Sequence, residues 1–233
     1  SGMTGDGTVI ATIAAGVASD SLGNGNTAST STDNTVTYDT TAPTVTIDQT
    51  LAQPDPTGAS PINFIVVFNE TTANFATGDV TLGGTAGATT ATVTGGPTTY
   101  NVAVSGMTGD GTVIATIAAG VATDAAGNNN AASTSTDNTV TFDATAPTVT
   151  IDQALAQVDP TNVSPINFTV VFSEATTNFA TGDVTLGGTA GATTATVTGG
   201  PTTYNVAVTG MTGDGTVIAT IAAGVATDAA GNN

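Results

Sequence analysis

Tyr100-Asn101-Val102-Ala103-Val104-Ser105-Gly106-Met107-Thr108-Gly109-Asp110-Gly111-Thr112-Val113-Ile114-Ala115-Thr116-Ile117 reads as a strand, a turn and a returning strand. Every second residue, Tyr100, Val102 and Val104 and then Val113, Ala115 and Ile117, is apolar on the two sides of a glycine-rich hexapeptide, the pattern of half-buried strands joined by a turn. Val113, Ala115 and Ile117 fall on one face of the returning strand.

The hexapeptide Gly106–Gly111 also stands at Gly2–Gly7 and Gly210–Gly215, so the chain repeats every 104 residues. Thr44–Asn129 and Thr148–Asn233 differ at nine of 86 positions. A period near 100 residues fits a self-sufficient domain in series, whereas solenoids repeat at roughly 20–50. Thr41-Ala42-Pro43 and Thr145-Ala146-Pro147 read as unit boundaries. On that phase residues 1–40 are the C-terminal part of one unit and 41–144 a complete unit. Residues 145–233 are a third unit lacking its last strand, as expected of a window cut from a longer repetitive chain.

Further strands are expected at Thr44–Asp48, at Ile62–Phe68 as a buried strand, at Val80–Leu82, at Thr89–Thr94, and over about Ser133–Phe142. With the opening hairpin these make seven strands per unit, and the expected fold is all-β: tandem immunoglobulin-like β-sandwiches. The loop 118–130 has room for one helical turn, which its glycines keep short.

Composition excludes much chemistry. The 233 residues contain no Lys, Arg, His, Cys or Trp, and 18 acidic residues give a formal charge of −18. Without His or Cys there is no zinc, haem or iron–sulfur site, no disulfide, and no Ser-His-Asp or Cys-His catalysis. Without Lys there is no Schiff base, and without any cation nucleic acid is not a partner. No apolar run is long enough for a membrane span, and no charged region announces a signal peptide. Trypsin-like proteases have no cleavage site. The core must be built from Val, Ile, Leu and Ala, because only ten residues are aromatic.

Asp39-Thr40-Thr41-Ala42-Pro43, Phe172-Ser173-Glu174, Gly182-Asp183-Val184 and Gly120-Val121-Ala122-Thr123-Asp124-Ala125-Ala126-Gly127-Asn128 together resemble the bacterial immunoglobulin-like tandem repeats of giant calcium-binding surface adhesins. The resemblance covers the whole chain and departs from the family pattern at Asn69, where Ser is usual before the Glu. It implies an extracellular, cell-surface extender module that binds Ca²⁺ near domain junctions.

Strand topology leads to the carboxylates independently. If seven strands alternate in direction, the loops after the second and sixth strands lie at the end of a unit that faces its predecessor. The preceding unit's last strand ends there too. Asp39, Glu70, Asp79 and Asp124, with Asn128, are therefore expected to converge on one junction, and Asp143, Glu174, Asp183 and Asp228 on the next. Two like charges 4 Å apart at an effective dielectric near 20 repel by about 4 kcal/mol. The chain has no cation to offset this, so the groups stay solvated and apart, protonate, or bind a cation. Hard oxygen donors suit Ca²⁺. The plainer alternative is that each Asp caps a turn.

Asp48, Asp55 and Asp110 fall at the opposite end, where Gly109-Asp110-Gly111 reads as a hairpin turn without EF-hand spacing. Asp137 reads as a solvent-facing or bulge position. Asn69-Glu70-Thr71 and Asn162-Val163-Ser164 match the glycosylation sequon at non-equivalent positions, a coincidence on the simplest reading.

The leading functional expectation is a non-enzymatic structural extender whose partners are neighbouring repeats of the same chain, rigidified by Ca²⁺. One alternative is a self-assembling extracellular filament or sheath with lateral self-association. Another is a polysaccharide- or ice-binding module.

Overall fold

The computed structural model describes residues 2–233. Near the N-terminus β1 (Gly7–Ile10) and β2 (Thr35–Tyr38) form a two-stranded antiparallel ribbon. Seven strands come next: β3 (Val45–Gln49), β4 (Ile62–Phe68), β5 (Val80–Gly83), β6 (Thr90–Gly95), β7 (Thr99–Ser105), β8 (Gly111–Ile117) and β9 (Thr139–Phe142). Six more repeat the pattern: β10 (Val149–Gln153), β11 (Ile166–Phe172), β12 (Val184–Gly187), β13 (Thr194–Gly199), β14 (Thr203–Thr209) and β15 (Ile218–Ile221). Among the described residues the only helical pieces are the 3-10 turns Thr77–Asp79 and Thr181–Asp183.

Strands β3-β4-β7-β6 make one antiparallel sheet and β5-β8-β9 another. Ile47, Ile62, Phe64, Val66, Val102 and Val104 of the first sheet, and Val113, Ala115, Ile117 and Val140 of the second, are all buried in one hydrophobic cluster. This is an immunoglobulin-like sandwich, with two sheets each contributing alternate residues to a shared core. Phe68, Phe75 and Tyr100 pack edge to face at one end of it, with ring centroids 5.0–6.0 Å apart. The same triad recurs as Phe172, Phe179 and Tyr204.

β7 and β8 lie in different sheets, so Gly106–Gly111 carries the chain from one sheet to the other instead of closing a hairpin, and two strands also differ from the expectation. Ile62–Phe68 is buried on one face only, with Ile65 and Val67 exposed. An antiparallel sheet in a two-layer fold keeps one face in water, and this strand carries apolar residues on both. The expected last strand, Ser133–Phe142, is split. Residues 131–137 run beside β3: Ala131 N donates to Pro43 O (2.9 Å), and Thr134 N to Val45 O (3.0 Å). The local bridge Thr46–Thr134 is parallel. The chain bends at exposed Asp137, and only then does β9 pair with β8. Asp48 Oδ1 holds the bend by accepting from Thr136 N (3.0 Å) and Asp137 N (3.1 Å). The segment thereby links the two sheets.

The loop between β8 and β9 forms turns rather than a helix. Asn130, almost fully buried, organises it. Its Oδ1 accepts from Val121 N and Ala122 N (both 2.8 Å), and its Nδ2 donates to Ala118 O (3.0 Å) and Ala131 O (2.7 Å). Every polar atom of the buried amide is thus paired.

In residues 145–233 the sheets are β10-β11-β14-β13 and β12-β15, around a second cluster. Among the described residues β9 has no counterpart there. Where Ile47, Ile62, Phe64 and Val113 are fully buried, Ile151, Ile166, Phe168 and Val217 are half-buried.

Candidate metal centre

The loops after β4 and β8 meet at one end of the sandwich. Ala73 N donates to Thr123 O (2.7 Å) and Thr123 N to Ala73 O (3.3 Å), so two segments fifty residues apart are stitched together there. The topology of antiparallel strands delivers both loops to that end.

Asp124 is held by its own turn. Its Oδ1 accepts from Ala126 N (2.8 Å) and Asn128 N (2.9 Å), and its Oδ2 from Asn128 Nδ2 (2.8 Å). Gly127 takes φ +91 inside this turn, a conformation that a side chain disfavours. Asp20 and Asn24 close the same turn in the N-terminal segment, so the geometry is written locally in Asp-x-x-Gly-Asn.

Glu70 is placed by the residue before it. Asn69 Oδ1 accepts from Thr44 N (2.7 Å), and Asn69 N donates to Thr44 O (3.1 Å). In the next unit Ser173 Oγ accepts from Thr148 N (2.9 Å). The departure at Asn69 therefore preserves the hydrogen bond, since both residue types supply an oxygen to the same backbone N–H.

Asp39 arrives from the linker, and the linker is tied to the unit it leads into. Asn128 Nδ2 donates to Asp39 O (3.2 Å), and Asn232 Nδ2 to Asp143 O (2.9 Å). The result is two groups of three carboxylates, Asp39–Glu70–Asp124 and Asp143–Glu174–Asp228. In each group, one oxygen from every residue lies within 4.8 Å of the others. Asp124 and Asp228 are buried, and the other four residues are half-buried.

Asp79 and Asp183 lie outside both groups. Each sits in a 3-10 turn, and its Oδ2 accepts from the backbone N–H of Ala76 or Ala180 (2.7 Å each). That turn has already left the junction: Thr77 Oγ1 accepts from Val93 N of β6 (3.2 Å). Asn128 and Asn232 sit at the junction, with their amides on the carboxylate and the linker carbonyl.

Asp110 is at a junction too. Its Oδ1 accepts from Ala144 N (2.8 Å) and its Oδ2 from the Thr145 hydroxyl. Asp6 does the same to Thr40 and Thr41. The Gly-Asp-Gly turn thus staples the linker. The signal was legible, because the far end of one unit is the near end of the next. Asp48 and Asp55 instead bind backbone N–H groups of their own unit, Asp55 Oδ1 taking Thr141 N (2.9 Å).

The electrostatics divide the group. Glu70 is pushed above the ordinary glutamate range by desolvation first, then by the charges of Asp124, Asp39 and Asp6. Glu174 is raised in the same way by desolvation and by Asp143, Asp228 and Asp110. The Asn128 amide and the backbone of its turn hold Asp124 below the aspartate range. At Asp228 burial works against the charge, and hydrogen bonds from Asn232, Gly231 and Ala230 outweigh it. Each group contains two charges fixed by hydrogen bonds or the linker and one glutamate with no positive partner.

The donor set is all oxygen. Oxygens bound to one Ca²⁺ at about 2.3–2.6 Å lie at most about 5 Å apart, and the three carboxylates meet that spacing. No His or Cys offers a softer ligand anywhere in the chain. The residues present therefore fit a hard divalent cation. Among the described residues, no helix is long and apolar enough to cross a membrane.

Neither the curated proteins nor the solved structures include a match to the chain. Residues 143–233 match the family described as bacterial Ig-like domain, and residues 39–129 repeat that segment with ten substitutions in 91 positions.

Proposed function

We propose that the chain is a structural extender from a large extracellular bacterial surface protein, with Ca²⁺ bound at its inter-unit junctions. The carrying observation is that carboxylates from a linker and two distant loops meet at each junction in a chain without a single cationic side chain. Asp39, Glu70 and Asp124 hold the ion at one junction, and Asp143, Glu174 and Asp228 at the other. Bound there, Ca²⁺ supplies the positive charge the chain lacks and a bridge between linker and loops.

The protein's own residues do the rest. Asn128 and Asn232 orient one carboxylate and hold the linker carbonyl, while Asp6 and Asp110 staple the linker from the preceding turn. A cation that binds only the docked arrangement stabilises it by mass action. A rod of docked units holds whatever it carries away from a surface. Near-identical units suit such a uniform spacing role, and the absence of any nucleophile–base pair with His, Cys or Lys suits a non-catalytic one.

The test is calorimetry with small-angle scattering on the 233-residue chain. It compares about 5 mM Ca²⁺, above the roughly 10⁻⁴–10⁻³ M range of extracellular modules, with excess EDTA. A higher melting temperature and a stiffer particle with Ca²⁺ are expected. Equal melts and equal shapes overturn the calcium role and leave the carboxylates as turn caps.

A further inference from the structure

The nine differences between Thr44–Asn129 and Thr148–Asn233 are not spread evenly. Four of them, at 50, 54, 58 and 59, lie in the loop between β3 and β4. Three more, at 69, 71 and 73, lie in the loop after β4. These loops are at opposite ends of the unit, so seven of the nine changes sit in its end loops. The buried core residues are identical.

One of the changes falls at a direct contact. Gly58 N donates to Ala230 O (3.3 Å), joining the loop between β3 and β4 to the Asp228–Asn232 turn of the following unit. A Cβ on Gly58 would stand 2.5 Å from Asn232 Oδ1 and 2.8 Å from Asp143 O. Neither obstacle yields cheaply. The Asn232 amide is held by Asp143 O and Asp228 Oδ2, and Asp143 O is backbone.

Gly58 itself cannot retreat. Its neighbour Thr57, almost fully buried, donates its N–H to Thr141 O and accepts from Asp143 N (3.0 Å each). Gly58 is not among the glycines with positive φ, so the position needs glycine for space rather than for backbone conformation. In the next unit the same position is Asn162.

We propose that residue 58 of each unit is a junction-setting position: Gly58 lets the following unit dock closely, with the loop between β3 and β4 against Asn232 and the Asp143 carbonyl, and an asparagine there, as at Asn162, holds the units apart. A rod built from both versions has closed and open junctions set by one residue. The cation part rests on the proposed calcium role; the docking part does not. Gly58 is a positioning residue, acting through Asn232 and the Asp143 carbonyl.

The test introduces Gly58→Asn into the 233-residue chain. The protein has no cysteine, so Thr94→Cys and Thr198→Cys, both exposed, take spin labels uniquely, one on each unit. Electron–electron distance measurement in EDTA is expected to show a narrow distribution with Gly58 and a broader or longer one with Asn. Calcium affinity is then read by titration in two backgrounds. Glu70→Gln leaves only the Asp143–Glu174–Asp228 site complete, and Glu174→Gln leaves only the other.

Gly58→Asn is expected to weaken the Asp143–Glu174–Asp228 site about 10-fold or more, as changes behind the ligands do, and to leave the Asp39–Glu70–Asp124 site unchanged. An unchanged distance distribution together with unchanged affinities overturns the proposal. If neither site takes up calcium with Gly58 in place, the metal reading fails, and the distance distribution alone decides the role of Gly58. If Gly58→Asn loses both sites, general unfolding is the cause, and the smaller Gly58→Ala decides by the same readouts.

Discussion

The side-chain amide of Asn232 lies 2.9 Å from the carbonyl oxygen of Asp143, 89 residues earlier in the chain, and 2.8 Å from Asp228 Oδ2. One amide group thus joins the linker to the loop after β15. Asn128 stands in the same relation to Asp39 and Asp124.

Asn232→Ala is expected to release the linker and one oxygen of Asp228 together. Loss of two hydrogen bonds at about 1 kcal/mol each lowers the melting temperature of that roughly 100-residue unit by about 8–16 °C. The interdomain distance distribution should broaden at that junction alone. A narrow distribution in the variant would show that Asn232 does not tie the units.

Asp110→Ala is expected to free Ala144 and Thr145 without touching the fold of β3–β9. Hydrogen exchange checks it: the Ala144 amide should lose protection while the amides of β4 and β7 keep theirs. Protection that stays unchanged at Ala144 would mean that the linker is held by other contacts.

The pH dependence of the metal-free protein comes from the two directions of shift. Glu70 and Glu174 have raised carboxyls, so between the ordinary value of 4.5 and the raised one the folded state binds more protons than the unfolded. Stability therefore falls as pH rises through that window. Asp6, Asp110, Asp124 and Asp228 are lowered from 3.8. Their contribution is complete above that value and is lost as pH falls through the depressed ones. In EDTA the melting temperature should thus peak in mild acid. Glu70→Gln with Glu174→Gln should flatten the decline on the neutral side, and a decline that persists would place its origin elsewhere in the net charge.

Phe64→Ala tests the core. Phe64 is fully buried between the sheets, and truncating such a side chain costs about 3–5 kcal/mol. The expected outcome is selective melting of residues 45–142, while β10–β15 unfold at their usual temperature. A single transition shifted as a whole would mean that the units melt cooperatively.

The sandwich was legible because its strands announce themselves. Val102 and Val104 on one side, and Val113, Ala115 and Ile117 on the other, recur at every second position about a segment whose Gly106 and Gly111 take positive φ. The division of the last strand between sheets was not legible. Asp137 and Asn138 mark a break between Thr134 and Val140, but nothing local says that the first half pairs with β3 and the second with β8. The same limit applies to Asp79. Its Gly-Asp-Val context resembles a junction loop, yet its carboxylate is spent on Ala76 N, a choice made by where the 3-10 turn docks on β6.

The sequence by itself determined the period, the strands and the charge imbalance, because these depend on residue identity and on contacts only a few residues apart. The Asp124–Asn128 turn belongs with them, since the same residues close it at Asp20 and Asn24. Tertiary structure alone decided which carboxylates meet. Asp39, Glu70 and Asp124 are separated by 31 and 54 residues, and only the pairing of antiparallel strands and the tethering of the linker by Asn128 bring their oxygens within 4.8 Å. Gly58 belongs to that second kind: alone in its loop it is an ordinary turn glycine, and only the arrival of Asn232 makes the missing side chain matter.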